Sequence, residues 1–180
     1  MQFIKQFLVL SLSASLLAGC GFQLRGSANI PDTMNALSIN CGDAVDPKFC
    51  LNIQWKLQKS GHPTVPQENA EIILDIDQLQ DERRAISVTR NAIAAEYELT
   101  YRLDFHLTLK DGIPLLPSAT VKAARTYRFD ETKVLSKARE EEQLREEMFR
   151  ELSDSLIRRL SPFNRARITE IRHKHNTPAE

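Results

Sequence analysis

The chain has 180 residues, in which 24 Lys or Arg side chains balance 24 Asp or Glu side chains, and 42% of the residues are hydrophobic. This length suits one domain with its own apolar core and is short for two. Because proteins that bind nucleic acid in bulk carry a clear basic excess, the balanced charge argues against that class, and we expect no nucleic-acid partner.

The N-terminal segment has the layout of an export signal. Lys5 supplies a positive charge, Phe7 to Leu17 form an apolar run, and the small residues Ala18 and Gly19 precede Cys20. The run is too short for a transmembrane helix, which needs about 20 apolar residues. A cysteine directly after small residues resembles a bacterial lipobox, in which cleavage leaves an acylated cysteine as the first residue. We therefore predict that residues 1–19 are removed and that Cys20 carries the lipid anchor.

Two further cysteines, Cys41 and Cys50, remain in the exported chain. Export leads to a compartment that permits disulfides, so the sequence predicts a possible bond between them. The alternative is that Cys50 is a small core residue on a helix and Cys41 is a free thiol. The spacing matches no Cys/His zinc pattern, so the sequence indicates neither a metal site nor a cofactor.

The first predicted elements are a strand, a helix and a second strand. Apolar residues within 35–40 indicate the first strand. Asp46 at an N-cap position and Pro47 at the first helical position predict a helix, which Gly61 and Pro63 terminate. From Glu71 apolar and mostly polar residues alternate, and this pattern predicts the second strand.

The segment Tyr97 to Leu109 carries the strongest pattern in the chain, because every odd position is apolar or aromatic and every even position is polar. It predicts a long antiparallel strand with one buried face. Residues 110–112 (Lys-Asp-Gly) predict a turn, and Pro114 and Pro117 predict an irregular connection before a fourth strand from Ala119 onward.

The last predicted element is a helix from Thr132 to Leu160, with an apolar stripe that repeats every four residues and a stop at Pro162. Residues 163–180 have little apolar content and are predicted to form a disordered tail. The predicted fold class is α+β: a two-layer sandwich with one mainly antiparallel four-stranded sheet and two helices packed on one face. This single domain is expected to span residues 20–162.

The sequence offers little sign of enzymatic chemistry. Asp104 and His106 lie on one face of the long strand, but a solvated pair is the commoner explanation of such neighbours. A nucleophile motif and a glycine-rich phosphate loop are both missing from the sequence. We therefore predict no catalytic residues and a protein that is not an enzyme.

Several short stretches of the chain resemble one known family. Residues 20–26 (Cys-Gly-Phe-Gln-Leu-Arg-Gly), residues 30–34 (Ile-Pro-Asp-Thr-Met), and the pair Arg90-Asn91 followed by residues 95–97 (Ala-Glu-Tyr) are similar to the LPS-assembly lipoprotein LptE family. The likeness extends through the long final helix, from Cys20 to about Pro162.

The resemblance implies an anchor in the cell outer membrane, on its periplasmic side, and a place as a plug inside the β-barrel LPS translocon LptD, in a 1:1 complex. It also implies binding of lipopolysaccharide, whose phosphates require basic partners. Arg90 and Lys137 match the basic LPS-binding positions of the family, and Arg83 and Arg84 are further cations of the connection that contains Arg90. The polar side of the long strand would suit a hydrated barrel interior.

Two other functions stay open at the level of sequence. A pilotin-like lipoprotein that assists a different outer-membrane assembly would share the anchor and need no LPS site. A periplasmic lipid-binding module would need an apolar cavity, which the strict alternation of the long strand disfavours.

Overall fold

The computed structural model describes residues 30–88 and 94–177, so Cys20 and Arg90 lie outside the described residues. The elements are β1 (Leu37–Cys41), α1 (Pro47–Lys59), β2 (Ile72–Val88), β3 (Ala94–Leu109), β4 (Pro114–Arg128), α2 (Val134–Leu160) and α3 (Arg165–Asn176), with short 3-10 turns at Asp32–Ala36, Gln67–Asn69 and Glu131–Lys133.

The four strands form one sheet in the order β1-β2-β3-β4. The β2–β3 and β3–β4 pairings are antiparallel, whereas β1 runs parallel to β2. The predicted α+β class is confirmed, with a sheet that is mixed because the α1 crossover returns the chain in the same direction. The described residues contain both predicted helices and a third, α3, which the sequence did not predict.

Strand β2 is much longer than its sequence pattern indicates, because a bulge interrupts the alternation of inward-facing and outward-facing side chains. The pairing with β3 shifts between Ile76 and Gln78, which leaves Asp77 unpaired. An inserted residue reverses which positions face the core, so Ile76 and Leu79 both point inward, three residues apart. Arg83 and Arg84, which the sequence placed in a connection, lie within this strand.

Strand β4 begins at Pro114, whereas the sequence predicted an irregular connection before a strand that starts at Ala119. Strand β4 is an edge strand of the sheet, where a missing backbone N–H is tolerated. The β3–β4 register passes from Phe105 opposite Ala119 to Leu107 opposite Leu116, so Pro117 lies in an irregular segment inside the strand rather than in a loop.

The two predicted helices cover one face of the sheet. The Asp46 carboxylate accepts a hydrogen bond from the Lys48 amide at 2.8 Å, as predicted for the start of α1. Phe49 of α1 meets Phe149 of α2 edge to face, with centroids 4.8 Å apart. The C-terminal half of α2 buries its predicted stripe, which comprises Met148, Leu152, Leu156, Ile157 and Leu160.

Cys41 at the end of β1 and Cys50 in the first turn of α1 are joined as a disulfide, with Cα atoms 6.6 Å apart. The bond therefore connects an edge strand of the sheet to the helix α1. Cys50 is also buried in the core, as the alternative interpretation expected.

The prediction of a disordered tail over residues 163–180 was wrong, because residues 165–176 form helix α3. Asn164 caps the helix by accepting a hydrogen bond from the Arg167 amide at 3.0 Å. Ile168 and Ile171 pack against the core, three residues apart on one side of the helix. Docking of this short stripe supplies stability that the polar composition does not reveal.

Candidate functional site

One end of the sheet brings together the parts of the chain that the sequence singled out for ligand binding. We call residues 86–88, 94–96 and 128–137 the distal end. Strand β2 finishes there, β3 begins there, and Glu96 of β3 pairs with Arg128 of β4. The Phe129 amide donates to the Ala95 carbonyl at 2.9 Å, and α2 starts a few residues later. The segment that contains Arg90 joins β2 to β3 at this end.

Lys137 lies in the first turns of α2, next to the distal end. Its side chain is 19% exposed, so most of it is covered by neighbouring groups. The ammonium donates to the Glu140 carboxylate at 2.6 Å. Lys137 also helps to lower the pKa of Asp130, although the largest causes are two hydrogen bonds that Thr132 donates to that carboxyl. Lys137 is thus held by one ion pair with Glu140 on its own helix, which neutralises part of its charge.

The distal end exposes apolar as well as basic side chains. Among the described residues, six large apolar side chains are exposed, and four of them are Ile86, Val88, Val134 and Leu135. Leu135 is 82% exposed, and the nearby Arg128 side chain is 85% exposed. A surface that combines basic side chains with exposed apolar groups is suited to an amphipathic anion.

A polar network attaches the N-terminal half of α2 to the sheet, in place of an apolar core. The Arg83 guanidinium stacks on Tyr97, 3.7 Å from the ring centroid, and donates to the Tyr127 hydroxyl at 2.9 Å. Tyr127 in turn donates to the carboxylate of Glu141 on α2. Arg145, one turn further along α2, donates to the same carboxylate at 2.9 Å and pairs with Asp81 of β2.

The network shifts the pKa values of its members in opposite directions. Burial, followed by the hydrogen bond to Glu141, raises the pKa of Tyr127 to about 12. Burial acts to raise the pKa of Glu141 too, but the hydrogen bonds from Tyr127 and Arg145, together with the charge of Arg83, hold it below its usual value. The carboxylate therefore stays ionised, and the phenol stays protonated as its donor.

The sheet face opposite the helices, which we call the polar face, carries alternating charges along its whole length. On β3 this face presents the even-numbered residues Glu98, Thr100, Arg102, Asp104, His106 and Thr108, all half-buried by their neighbours. Arg84 of β2 pairs with Glu98 at 2.7 Å, and Arg128 of β4 pairs with Glu96 at 3.1 Å. The polar face is therefore a continuous hydrophilic surface with its charges paired across strands.

Asp104 and His106 do not act as a pair, although they share the polar face. The Asp104 carboxylate accepts hydrogen bonds from Arg102 and Thr120, which lower its pKa, Arg102 having the larger effect. His106 lies between Asp75 and Asp77, with ring nitrogen to oxygen distances of 3.2 and 3.0 Å. Each side chain serves the cross-strand pairing rather than a shared reaction centre.

Within residues 30–88 and 94–177, no three His, Cys, Asp or Glu side chains are grouped so that they could hold a metal ion. In the same part of the chain, no helix combines the length and the apolar character needed to cross a membrane.

The model of the family described as "LptE: Lipopolysaccharide-assembly" matches residues 34–160, which run from the turn before β1 to the end of α2. The chain belongs to the LptE family. The match includes the polar face and the distal end, whereas α3 lies beyond it.

Curated relatives from the LptE family are similar to most of the chain. The LPS-assembly lipoprotein LptE of Yersinia enterocolitica is 28% identical over 172 residues, covering 94% of this chain and 82% of the relative. The Yersinia pestis (strain Pestoides F) protein of the same name is 27% identical and covers 95% of this chain.

Two solved lipoproteins share the fold. Lipoprotein B of Nitrosomonas europaea is similar with a TM-score of 0.64 and 23% identity, covering 89% of this chain and 99% of its own. The rare lipoprotein B of Shewanella oneidensis has a TM-score of 0.61 and 24% identity, covering 77% of this chain and 98% of its own. These likenesses support the α+β fold described above.

Sequence reasoning found the basic candidates of the distal end but missed the groups that organise it. The sequence places Arg83 among the cations of a connection, whereas it lies in β2, stacks on an aromatic ring and lies 3.4 Å from Glu141. The exposed Ile86 and Val88 belong to no predicted element, although their apolar character next to the Arg-Arg pair is a usable signal. Arg90, the other predicted ligand, lies outside the described residues.

Proposed function

We propose that this chain is a lipid-anchored, non-enzymatic lipoprotein of LPS assembly, which fills the lumen of the β-barrel LptD and binds lipopolysaccharide at the distal end. The observation that carries the proposal is the division of the domain into two surfaces. The polar face suits a hydrated barrel wall, and the distal end offers cations beside exposed apolar groups. The names of the curated relatives support the role in LPS assembly.

Lipopolysaccharide needs both features of the distal end. The phosphates of lipid A call for Arg or Lys donors, and its acyl chains call for apolar contacts. Arg90 and Lys137 are our candidates for the phosphates. Val134 and Leu135 lie in the same first turn of α2 as Lys137, so one helical segment can contact both an acyl chain and a phosphate of one ligand.

The plug role draws its support from the polar face. Arg84 pairs with Glu98 across strands and Arg102 pairs with Asp104 within β3, so these charges can enter a barrel lumen without being left isolated away from water. The helices and the apolar core lie on the other side of the sheet. In this arrangement a partner barrel contacts a rigid, hydrated surface, and assembly does not require the core to open.

The test is LPS binding by the complete mature chain, residues 20–180 with Cys20→Ser, compared with its Arg90→Asp/Lys137→Gln variant. Gln is preferred at position 137 because a carboxylate there would face Glu140. Each charge-assisted contact is worth about 1.5–3 kcal/mol, so the double change should weaken binding more than tenfold. The matched control is Lys48→Gln/Arg150→Asp, which alters two exposed cations on other parts of the domain.

A circular dichroism melt and purification of the acylated protein with its barrel complete the test. Unchanged LPS binding at an unchanged melting temperature would remove Arg90 and Lys137 from the proposed site. Co-purification of a barrel other than LptD, without LPS binding, would instead favour the pilotin-like function.

A further inference from the structure

The described chain begins and ends at the same end of the sheet, opposite the distal end. We call residues 30–36, 71–72 and 109–113 together with α3 the proximal end. The Thr33 hydroxyl donates to the Phe163 carbonyl at 2.6 Å, just before α3 starts. Ile30, Asp32, Asn164 and Arg165 line one small cleft between the two segments.

This geometry fixes which end faces a membrane if Cys20 is acylated. Ile30 lies ten residues after Cys20 along the chain, a distance of at most about 35 Å when extended. Strand β2 alone has 17 residues and a length of about 55 Å, so the domain cannot stand on its distal end with Ile30 a full strand length above the anchored leaflet. The proximal end, including α3, is therefore the part of the domain held next to the lipid surface.

The charge of the chain is strongly asymmetric along its length. Residues 158–180 contain six Lys or Arg side chains and two Asp or Glu side chains, whereas residues 20–157 contain 17 and 22. The basic excess of a nearly neutral protein is thus concentrated at the end of α2 and in α3. Such a concentration attracts an anionic lipid surface even when the net charge of the whole protein does not.

Helix α3 presents this charge outward. Ile168 and Ile171 dock on the core, and Arg165 and Arg172 lie beside a cleft of about 830 Å³. Arg172 pairs there with Asp111 at 3.3 Å. With 3.6 residues per helical turn, Arg167 and Lys174 lie on the side of α3 that faces away from the cleft. Both side chains are exposed there, and both pair with the carboxylate of Glu170.

We propose that α3 is a membrane-contacting helix, whose basic side chains bind the anionic phospholipid headgroups of the leaflet that holds the anchor. This inference rests on the acylated Cys20 of the proposed function. The lipid anchor holds the protein at the surface, and α3 orients it with the proximal end on the headgroups and the distal end directed away from them.

The experiment measures flotation of residues 20–180, with Cys20→Ser, on vesicles of phosphatidylethanolamine and phosphatidylglycerol that contain no LPS. Each basic side chain near an anionic surface contributes a factor of about five in partitioning at low salt. Arg167→Gln/Lys174→Gln should therefore bind at least about tenfold more weakly. Glu170→Gln should bind severalfold more tightly, because it frees both cations. Physiological salt should weaken binding, since it shortens the screening length to about 8 Å.

The control Lys48→Gln/Arg150→Gln removes the same charge from other surfaces and should bind as the unsubstituted chain does. The proposal is wrong if the unsubstituted chain does not bind the anionic vesicles, if both double variants bind equally, or if Glu170→Gln has no effect at an unchanged melting temperature. Binding to LPS, measured separately with the Arg90 and Lys137 variants, reports on the proposed function and does not depend on α3.

Discussion

Individual residues determine how the layers of this domain meet. Gly42 follows β1 at the point where β2 bulges, and its amide donates to the Ile76 carbonyl at 2.8 Å. A Cβ atom on residue 42 would lie 2.7 Å from the Asp77 carbonyl oxygen. Because that neighbour is backbone inside a strand, it cannot rotate away, and only glycine fits the observed distance.

We expect Gly42→Ala to lower the free energy of unfolding by about 1–3 kcal/mol, because the bulge must move to admit a methyl group. Urea unfolding followed by circular dichroism measures the effect. Asp43→Ala, at the exposed next position, should change stability by less than about 0.5 kcal/mol. Equal urea midpoints for the two variants would mean that the bulge has room for a side chain.

At the scale of elements, α2 is attached to the sheet in two different ways. Its C-terminal half buries an apolar stripe, and its N-terminal half is held through Glu141 and Arg145 by the polar network with Arg83 and Tyr127. The network therefore places the start of α2, with Lys137, relative to the distal end.

Glu141→Gln tests this attachment through its pH dependence. We expect a loss of about 1–2 kcal/mol at neutral pH, because the carboxylate accepts charge-assisted hydrogen bonds yet remains partly in contact with water. Folding lowers the pKa of Glu141 below its ordinary value of 4.5. The ionised carboxylate therefore stabilises the fold at pH values above 4.5, and this stabilisation disappears as the pH falls through the pKa of the folded state. The difference in free energy of unfolding between the variant and the unsubstituted protein should shrink over the same pH range.

Thermal melts from neutral to acidic pH measure that difference, and Glu142→Gln, at an exposed neighbouring position, is the matched control. A difference that stays constant down to low pH would show that the variant acts through packing rather than through the charge of Glu141.

The elements that could be predicted from sequence are those whose signals are local. The alternation of Tyr97 to Leu109 and the caps of α1 depend on neighbouring residues alone, and both were correct. The second half of β2 was missed because the bulge at Asp77 breaks the alternation and the following polar residues resemble a loop. Helix α3 was missed because Ile168 and Ile171 are a weak stripe until the rest of the domain is present.

The candidate site was predictable to a similar extent. Lys137 was found by resemblance. Its pairing with Glu140 is a local i,i+3 contact within α2, whereas its low exposure depends on how the helix is placed against the rest of the domain, which no local pattern contains. The stacking of Arg83 on Tyr97 joins two strands across a register that the bulge determines, so it too required the structure.

At the scale of the whole molecule, the proposed functions divide the surface into three regions. The distal end is assigned to lipopolysaccharide, the polar face to the barrel, and α3 to the anchored leaflet. The apolar core takes part in none of these contacts, which allows each surface to be altered separately.

The two faces of β3 provide a direct test of this division, because the same new residue can be placed on each. Leu103 is fully buried, so Leu103→Lys puts an unpaired charge in the core and should destabilise the domain by several kcal/mol. Thr100 lies on the polar face opposite Glu82, so Thr100→Lys gains an opposite charge and should change stability by less than about 0.5 kcal/mol.

In cells, Thr100→Lys should still weaken co-purification with the barrel, because it adds bulk and charge to the proposed contact surface. Thr100→Ser is the control that keeps the hydroxyl and should co-purify normally. Equivalent melts for the two lysine variants would refute the assignment of the faces, whereas full co-purification of a stable Thr100→Lys protein would place the barrel contact on another surface.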